Sequence, residues 1–283
     1  MLKLFFKCCA ILSLPALHKL GALLGWVIYF CSPQAAKMMK SNLTVSGLTK
    51  NDDHFSSILH ANIAETGKSI VETFGIWQKK EDALLALVKS VHGLGIVKDA
   101  LQLGRGIIFL TPHLGCFEIT SIYYGSKHPI TVLYRPPKIK WLESLILKGR
   151  TRTGVTLAEA NSGGVRKLMQ ALKRGEAVGI LPDQIPSAGE GEWADFFGKP
   201  AYTMTLASKL AEKTGATVIM AYGERLAGGS GYAIHLSKCK SIATPSLLNK
   251  AIETQIAYNP TQYLWRYNRY KQRRHTIVKK MNT

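Results

Sequence analysis

The stretch Gly104–His113, "GRGIIFLTPH", decides how the rest of this chain is read. Four apolar residues, beginning with two β-branched isoleucines, run between a glycine and a proline. A run that short and of that composition is a buried strand. It delivers His113 into the loop just past its end. Working outward, "HPITVLYRPP" (residues 128–137), "AVGILPDQ" (177–184), "ATVIMAYGERL" (216–226) and "GYAIHLS" (231–237) read as further strands. Between and before them, residues 52–74, 81–91, "KWLESLILKGR" (140–150), "NSGGVRKLMQALKRGE" (161–176) and "YTMTLASKLAEKTG" (202–215) carry apolar residues at helical spacing. Strands separated by helices predict an α/β fold with a mixed central sheet flanked by helices. Sites in such sheets form beyond the carboxyl ends of strands, and His113, Arg135 and Asp183 all fall there.

The bulk numbers set the scale. The chain has 283 residues, 46% of them hydrophobic, enough for one large core or two small ones. Its 37 Lys and Arg against 18 Asp and Glu give a formal charge of +19. Such a surface seeks anions: phosphates, an acidic membrane leaflet, nucleic acid or an acidic protein. Cys8, Cys9, Cys31, Cys116 and Cys239 form no CxxC pair, so neither a disulfide framework nor a zinc site is read, and a reducing compartment is expected for the main domain. There is no P-loop, no GxGxxG after a strand and no HExxH, so no cofactor and no metal are expected.

The amino terminus, "LFFKCCAILSLPALHKLGALLGWVIYFC" (residues 4–31), is apolar except at Lys7, His18 and Lys19. A spanning helix needs roughly 20 apolar residues, and Pro15 with the His18–Lys19 pair divides the stretch into shorter halves. A cleaved signal, a single span, or a hairpin or interfacial helix pair lying in one leaflet all fit that pattern. Residues 1–33 are expected to be a membrane-associated helical segment, and residues 34–283 one catalytic or binding domain.

"TPHLGCFEIT" (residues 111–120) holds the candidate chemistry. A neutral imidazole is the natural base for a hydroxyl near neutral pH. It needs a carboxylate to fix its tautomer and steady the imidazolium. Glu118 could serve His113 if the histidine lies in the strand-to-helix loop and Glu118 one turn into the helix, with Gly115 letting the loop fold tightly. Spacing alone leaves open a histidine that merely hydrogen-bonds within a loop. It also leaves open Cys116 as a nucleophile or as a small buried residue.

The surrounding stretches narrow this. "HLGCFE" resembles the HX4(D/E) motif of membrane glycerolipid and lipid A acyltransferases. "YRPPKIKWLESLILKGRTRTG", "SGGVRKLMQALKRGEAVGILPDQ", "FFGKPAYTMTLASKLAEKTGATVI" and "PTQYLWRYNRYK" resemble, in order, further segments of the late lipid A acyltransferases, the lauroyl/myristoyl transferase family of Gram-negative inner membranes. Together they cover most of the chain. The tail departs, with Asn268 and Tyr270 where a more basic cluster is the family's habit. The resemblance implies transfer of an acyl chain from acyl carrier protein to a hydroxyl of a lipid A precursor, at the cytoplasmic face of the bacterial inner membrane. His113 would be the general base and Glu118 its orienting acid. Arg150 and Arg135 would place charge near the acceptor or the oxyanion, or simply make surface ion pairs. Asp183 would hydrogen-bond the acceptor sugar or cap the turn after its strand. "WADFFG" reads as core or as wall of an acyl tunnel, and the basic tail could rest on anionic headgroups. Another membrane phospho- or glycolipid could be the acceptor, and a non-enzymatic basic protein on membranes or nucleic acid is the reading from a different class. No RNA-recognition or helix-turn-helix pattern is present, so nucleic acid is not an expected partner.

Overall fold

A computed structural model describes residues 9, 11–137, 139–152 and 154–271. The remaining positions, including residues 272–283 of the basic tail and most of the first ten residues, lie outside the described residues.

Seven strands make the main sheet: β1 (Val88–His92), β2 (Ile107–Leu110), β3 (Ile130–Tyr134), β4 (Val155–Glu159), β5 (Ala177–Ile180), β8 (Thr217–Arg225) and β9 (Tyr232–Lys238). Their order is β1-β9-β8-β2-β5-β3-β4. Every neighbouring pair is parallel except β8 with β9, so the sheet is mixed, as the alternation predicts. β6 (Gly191–Phe196) and β7 (Lys199–Met204) form a separate antiparallel hairpin. Helix α10 (Pro245–Tyr258) holds it, Asn249 donating to the Asp195 carbonyl at 2.9 Å.

Period-two alternation along β2 feeds two cores. Ile108 and Leu110 join one with Leu168 and Leu172 of α8 (Ser162–Lys173), Leu210 of α9 (Leu206–Thr214) and Ile252 of α10. Ile107 and Phe109 join the other with Val97 of α5 (Leu94–Leu103) and Tyr124 of α6 (Phe117–Gly125). All four strand residues are buried, which is why the run reads as continuously apolar.

Three expectations change. The helix expected over residues 202–215 is α9 alone, residues 202–204 pairing with β6 as the end of β7. The helix expected over residues 81–91 is a short α4 (Glu81–Leu85), after which Val88–His92 pairs with β9 as the sheet's edge. At the amino terminus, α1 (Leu14–Cys31) is one helix and runs through the His18–Lys19 pair. Pro15 sits in its first turn, where the missing N–H costs nothing, and Ser13 caps it. His18 turns inward and bonds Glu72 of α3 (Asp52–Gln78) at 3.0 Å. Gly21 and Gly25 of α1 meet Gly67 of α3 backbone to backbone, so closely that a Cβ on any of the three would strike the facing main chain. The opposite face of α1 leaves Leu20, Leu23, Val27 and Phe30 exposed, a stripe at helical spacing. By length and composition this helix could cross a membrane. After it come α2 (Pro33–Ser46) and, later in the chain, α7 (Lys140–Arg150).

Candidate active site

β2 and β5 are parallel neighbours with Leu110 opposite Ile180, and the Thr111 N–H extends the ladder to the Ile180 carbonyl. Three residues beyond each strand the chain delivers His113 and Asp183. Shared register therefore brings them together. His113 Nδ1 lies 2.8 Å from Asp183 Oδ1, and the His113 backbone N–H donates to Asp183 Oδ2 at 2.9 Å. The carboxylate can only accept, so Nδ1 carries the proton and Nε2 presents a lone pair. Gln184 Nε2 sits 3.2 Å from that lone pair and donates to it. Asp183 is 2% exposed. Burial by itself would raise its pKa, but the charge and hydrogen bonds of His113 outweigh burial and hold the carboxyl below its ordinary value.

Glu118 is placed differently from the expectation. It lies in the first turn of α6, an electrostatically favourable position for an acid. Its carboxylate is held by Arg150, whose Nε donates to both oxygens at 2.9 and 3.0 Å. The Arg150 guanidinium also lies over the Trp77 ring, 5.6 Å from its centroid. The carboxylate that contacts His113 is thus Asp183 and not Glu118. Arg150, expected near acceptor or oxyanion charge, spends its guanidinium on Glu118. Arg135 stays exposed at the end of β3, with Nη2 3.4 Å from Ser187 Oγ, apart from both pairs.

The loop between β2 and α6 is clamped. Gly115 has φ +60°, and a Cβ there would strike the Gly223 carbonyl, so only glycine fits. Cys116 N–H donates to that same carbonyl at 2.7 Å, and Gly115 N–H to the Gln262 carbonyl at 3.0 Å. Arg225, at the end of β8, donates from Nη2 to the Gly115 carbonyl at 2.8 Å and from Nε to Glu72 at 2.7 Å. Glu72 also accepts from the Tyr232 hydroxyl at 3.1 Å. Burial would raise the Glu72 pKa, but Arg225 and His18 bring it down to about 2. Sequence reading missed Arg225 and Gln184, although Arg225 is the last residue of β8 and Gln184 lies just past β5, the very place the topology rule indicates. Cys116 is 2% exposed, and burial followed by the Glu72 charge pushes its thiol well up. A thiol kept neutral in this way is a poor nucleophile.

On the α6 side of the sheet lies a cavity of about 280 Å³. Thr111, Phe117, Glu118 and Arg150 are among its lining residues, and the Phe117 ring stands 5.0 Å from the ring of His113, which does not itself line it. The rest is chiefly apolar, with Val97, Leu101, Phe109, Ile130 and Val132 among its walls. Residues of "WADFFG" do not line it; Phe196 packs in the core on the other face. Among the described residues no cluster of three or more His, Cys, Asp or Glu is placed to hold a metal ion.

Comparison with known proteins matches residues 2–272 to the family described as bacterial lipid A biosynthesis acyltransferase. The chain is 26% identical over 273 residues to the lipid A biosynthesis lauroyltransferase of Escherichia coli K12, covering 93% of this chain and 87% of that one. It is likewise 26% identical over 269 residues to the lipid A biosynthesis palmitoleoyltransferase of the same organism, with 93% and 87% covered. A lipid A biosynthesis acyltransferase of Haemophilus influenzae is 25% identical over 276 residues, with 93% and 86% covered.

Proposed function

We propose, for a chain that belongs to the family of bacterial lipid A biosynthesis acyltransferases, that it moves a fatty acyl group from acyl carrier protein to a hydroxyl of a lipid A precursor, with His113 as general base. What carries this reading is the His113–Asp183 pair beside Phe117, whose ring packs on His113 and also lines an apolar cavity. The acyl chain lies in the cavity, and its thioester carbonyl rests near Phe117 and Glu118. The acceptor hydroxyl hydrogen-bonds His113 Nε2, displacing the Gln184 amide as its partner. Its proton passes to Nε2 as its oxygen bonds the carbonyl carbon. The imidazolium is steadied by the Asp183 carboxylate, the service a buried acid gives histidine in hydrolytic triads. Collapse of the tetrahedral intermediate breaks the C–S bond, and the departing thiolate recovers the proton from Nε2. Protons and electrons balance without a covalent enzyme intermediate.

Glu118 and Arg150 act as a unit at the cavity wall. In place of the orienting role that sequence spacing suggested, Glu118 fixes the guanidinium, and the pair supplies polarity where the acyl carbonyl meets the apolar wall. Arg135, exposed on the same edge of the sheet, is left for the acceptor's anionic groups. The two Escherichia coli relatives are named for different acyl groups, lauroyl and palmitoleoyl, so the acyl group differs within the family.

Residues 1–33 supply the membrane contact and residues 34–283 the acyltransferase domain in this account. With one face of α1 held against α3 and the other exposing Leu20, Leu23, Val27 and Phe30, in-plane insertion into the cytoplasmic leaflet of the inner membrane suits the helix. The +19 charge favours that anionic surface, the phosphates of the acceptor and an acidic carrier protein alike. The test is transfer from matched carrier-protein and coenzyme A thioesters to a lipid A precursor, products read by mass. A product one acyl chain heavier, made faster from the carrier-protein thioester, is expected. Equal rates from both donors would remove the carrier protein from the account.

A further inference from the structure

A second, much smaller pocket of about 20 Å³ opens on the α3 side of His113, bordered by Glu65, Thr66, Ser69, His113, Phe117 and Tyr263. That volume exceeds the roughly 10–15 Å³ a single water needs, and no more than one such group fits. Phe117 borders both this notch and the apolar cavity, so the two come together at its ring. Thr66 is 5% exposed, and its hydroxyl has no hydrogen-bond partner. In mid-helix a threonine hydroxyl ordinarily bonds a carbonyl of the preceding turn, and an unpartnered buried one is a cost that native proteins seldom carry without use. The notch is also firmly built. Asn62, one turn before Thr66, donates to the Thr261 and Tyr263 carbonyls, both at 2.7 Å, and the Leu264 N–H donates to the His113 carbonyl at 3.1 Å. Glu65 is neutralised by Lys68 and Arg225. The notch is too small for a phosphate group, while a single alcohol oxygen fits it.

We infer that this notch seats the nucleophilic hydroxyl of the acceptor, with Thr66 as the residue that hydrogen-bonds its oxygen. The assignment rests on the acyltransfer reading above and deepens it. Acyl chain and acceptor alcohol approach His113 from the two pockets that Phe117 borders and meet beside its ring, and the acceptor's phosphates stay outside the notch. Thr66 is a binding and positioning residue here, and His113 Nε2 alone takes the proton.

Thr66→Val keeps shape and β-branching while removing the hydroxyl. Initial rates would be measured against acceptor at saturating donor, then against donor at saturating acceptor, beside Thr66→Ser and a thermal unfolding curve. The expected result is acceptor kcat/KM lowered about ten-fold, the worth of one neutral hydrogen bond of ordinary to good strength. Donor KM should be unchanged, Thr66→Ser should be near wild type, and the Tm of Thr66→Val should be equal or higher, because no bond is lost in the empty protein. Unchanged acceptor kinetics in Thr66→Val, with an active wild type, would overturn the acceptor site and leave the reaction standing. A lowered Tm with unchanged acceptor kinetics would make the hydroxyl structural and overturn it as well. A wild type that acylates no lipid A precursor would overturn the reaction and this site together.

Discussion

Replacing Asp183 by asparagine tests the geometry at its centre. Asparagine is isosteric, but it offers one acceptor and one donor group where aspartate offers two acceptors. If its carbonyl keeps the His113 backbone N–H, its NH2 faces Nδ1, which must then shed its proton, and the proton moves to Nε2. The base is then blocked. If the amide turns round, its NH2 opposes the backbone N–H, and the loop loses a bond now 2.9 Å long. Either way the imidazolium loses its counter-charge. At about 4 Å between charge centres and an effective dielectric of about 20, that counter-charge contributes about 4 kcal/mol. At 1.36 kcal/mol per decade this is about 10³-fold in kcat, and the tautomer penalty extends it toward the roughly 10⁴-fold seen for the same swap in a serine-protease triad. Single-turnover acyl transfer at saturating donor and acceptor reads this loss directly. Circular dichroism and a melting curve would show whether the fold survives. A folded Asp183→Asn variant within ten-fold of wild type would refute the assignment of Asp183 as the orienting acid.

The other carboxylate should behave differently. Glu118→Gln leaves the His113–Asp183 contact in place but strips Arg150 of its counter-ion; with Arg150 19% exposed, a stability loss of about 2 kcal/mol is expected by denaturant titration, below the value for a fully buried pair. Single-turnover transfer should stay well above that of Asp183→Asn, and a loss as large as that variant's in a folded Glu118→Gln would return the orienting role to Glu118. Cys116→Ala should retain transfer within about three-fold, as expected of a buried packing residue whose thiol plays no part; complete loss in a folded protein would revive the thiol as a nucleophile. Glu72 has its folded pKa lowered from 4.5 to about 2, so its stabilising contribution is fully present above pH 4.5 and disappears as pH falls from there toward 2. The urea midpoint of wild type should therefore drop over that interval more steeply than that of Glu72→Gln, whereas parallel curves would mean the Glu72–Arg225 pair carries no pH-dependent stability.

Much of this architecture is legible in the sequence because period and punctuation are local. "GIIFL" bounded by Gly and Pro, and the helices over residues 140–150 and 161–176, declare themselves without tertiary help. β1 does not, because Val88–His92 continues the apolar rhythm of the helix before it, and only pairing with β9 makes it a strand. β4 and the β6–β7 hairpin, likewise unread, alternate too weakly to stand out. The amino-terminal stretch looks divided because His18 and Lys19 are polar, but a charged partner 54 residues away makes His18 an interior residue. At the site, chain order suggested pairing His113 with Glu118, five residues on. Strand register pairs it instead with Asp183, 70 residues on. That neighbour is fixed by which strands lie side by side, and one-dimensional spacing does not carry the information.

The central claim is that His113 takes a proton from a lipid A precursor as the acyl group is transferred. The measurement that meets it most directly is the mass of that precursor after incubation with an acyl carrier protein thioester and either wild type or His113→Ala, both checked for native melting. The account predicts one added acyl chain with wild type and an unchanged precursor with the variant. An acylated precursor formed by His113→Ala at a rate near wild type would contradict it.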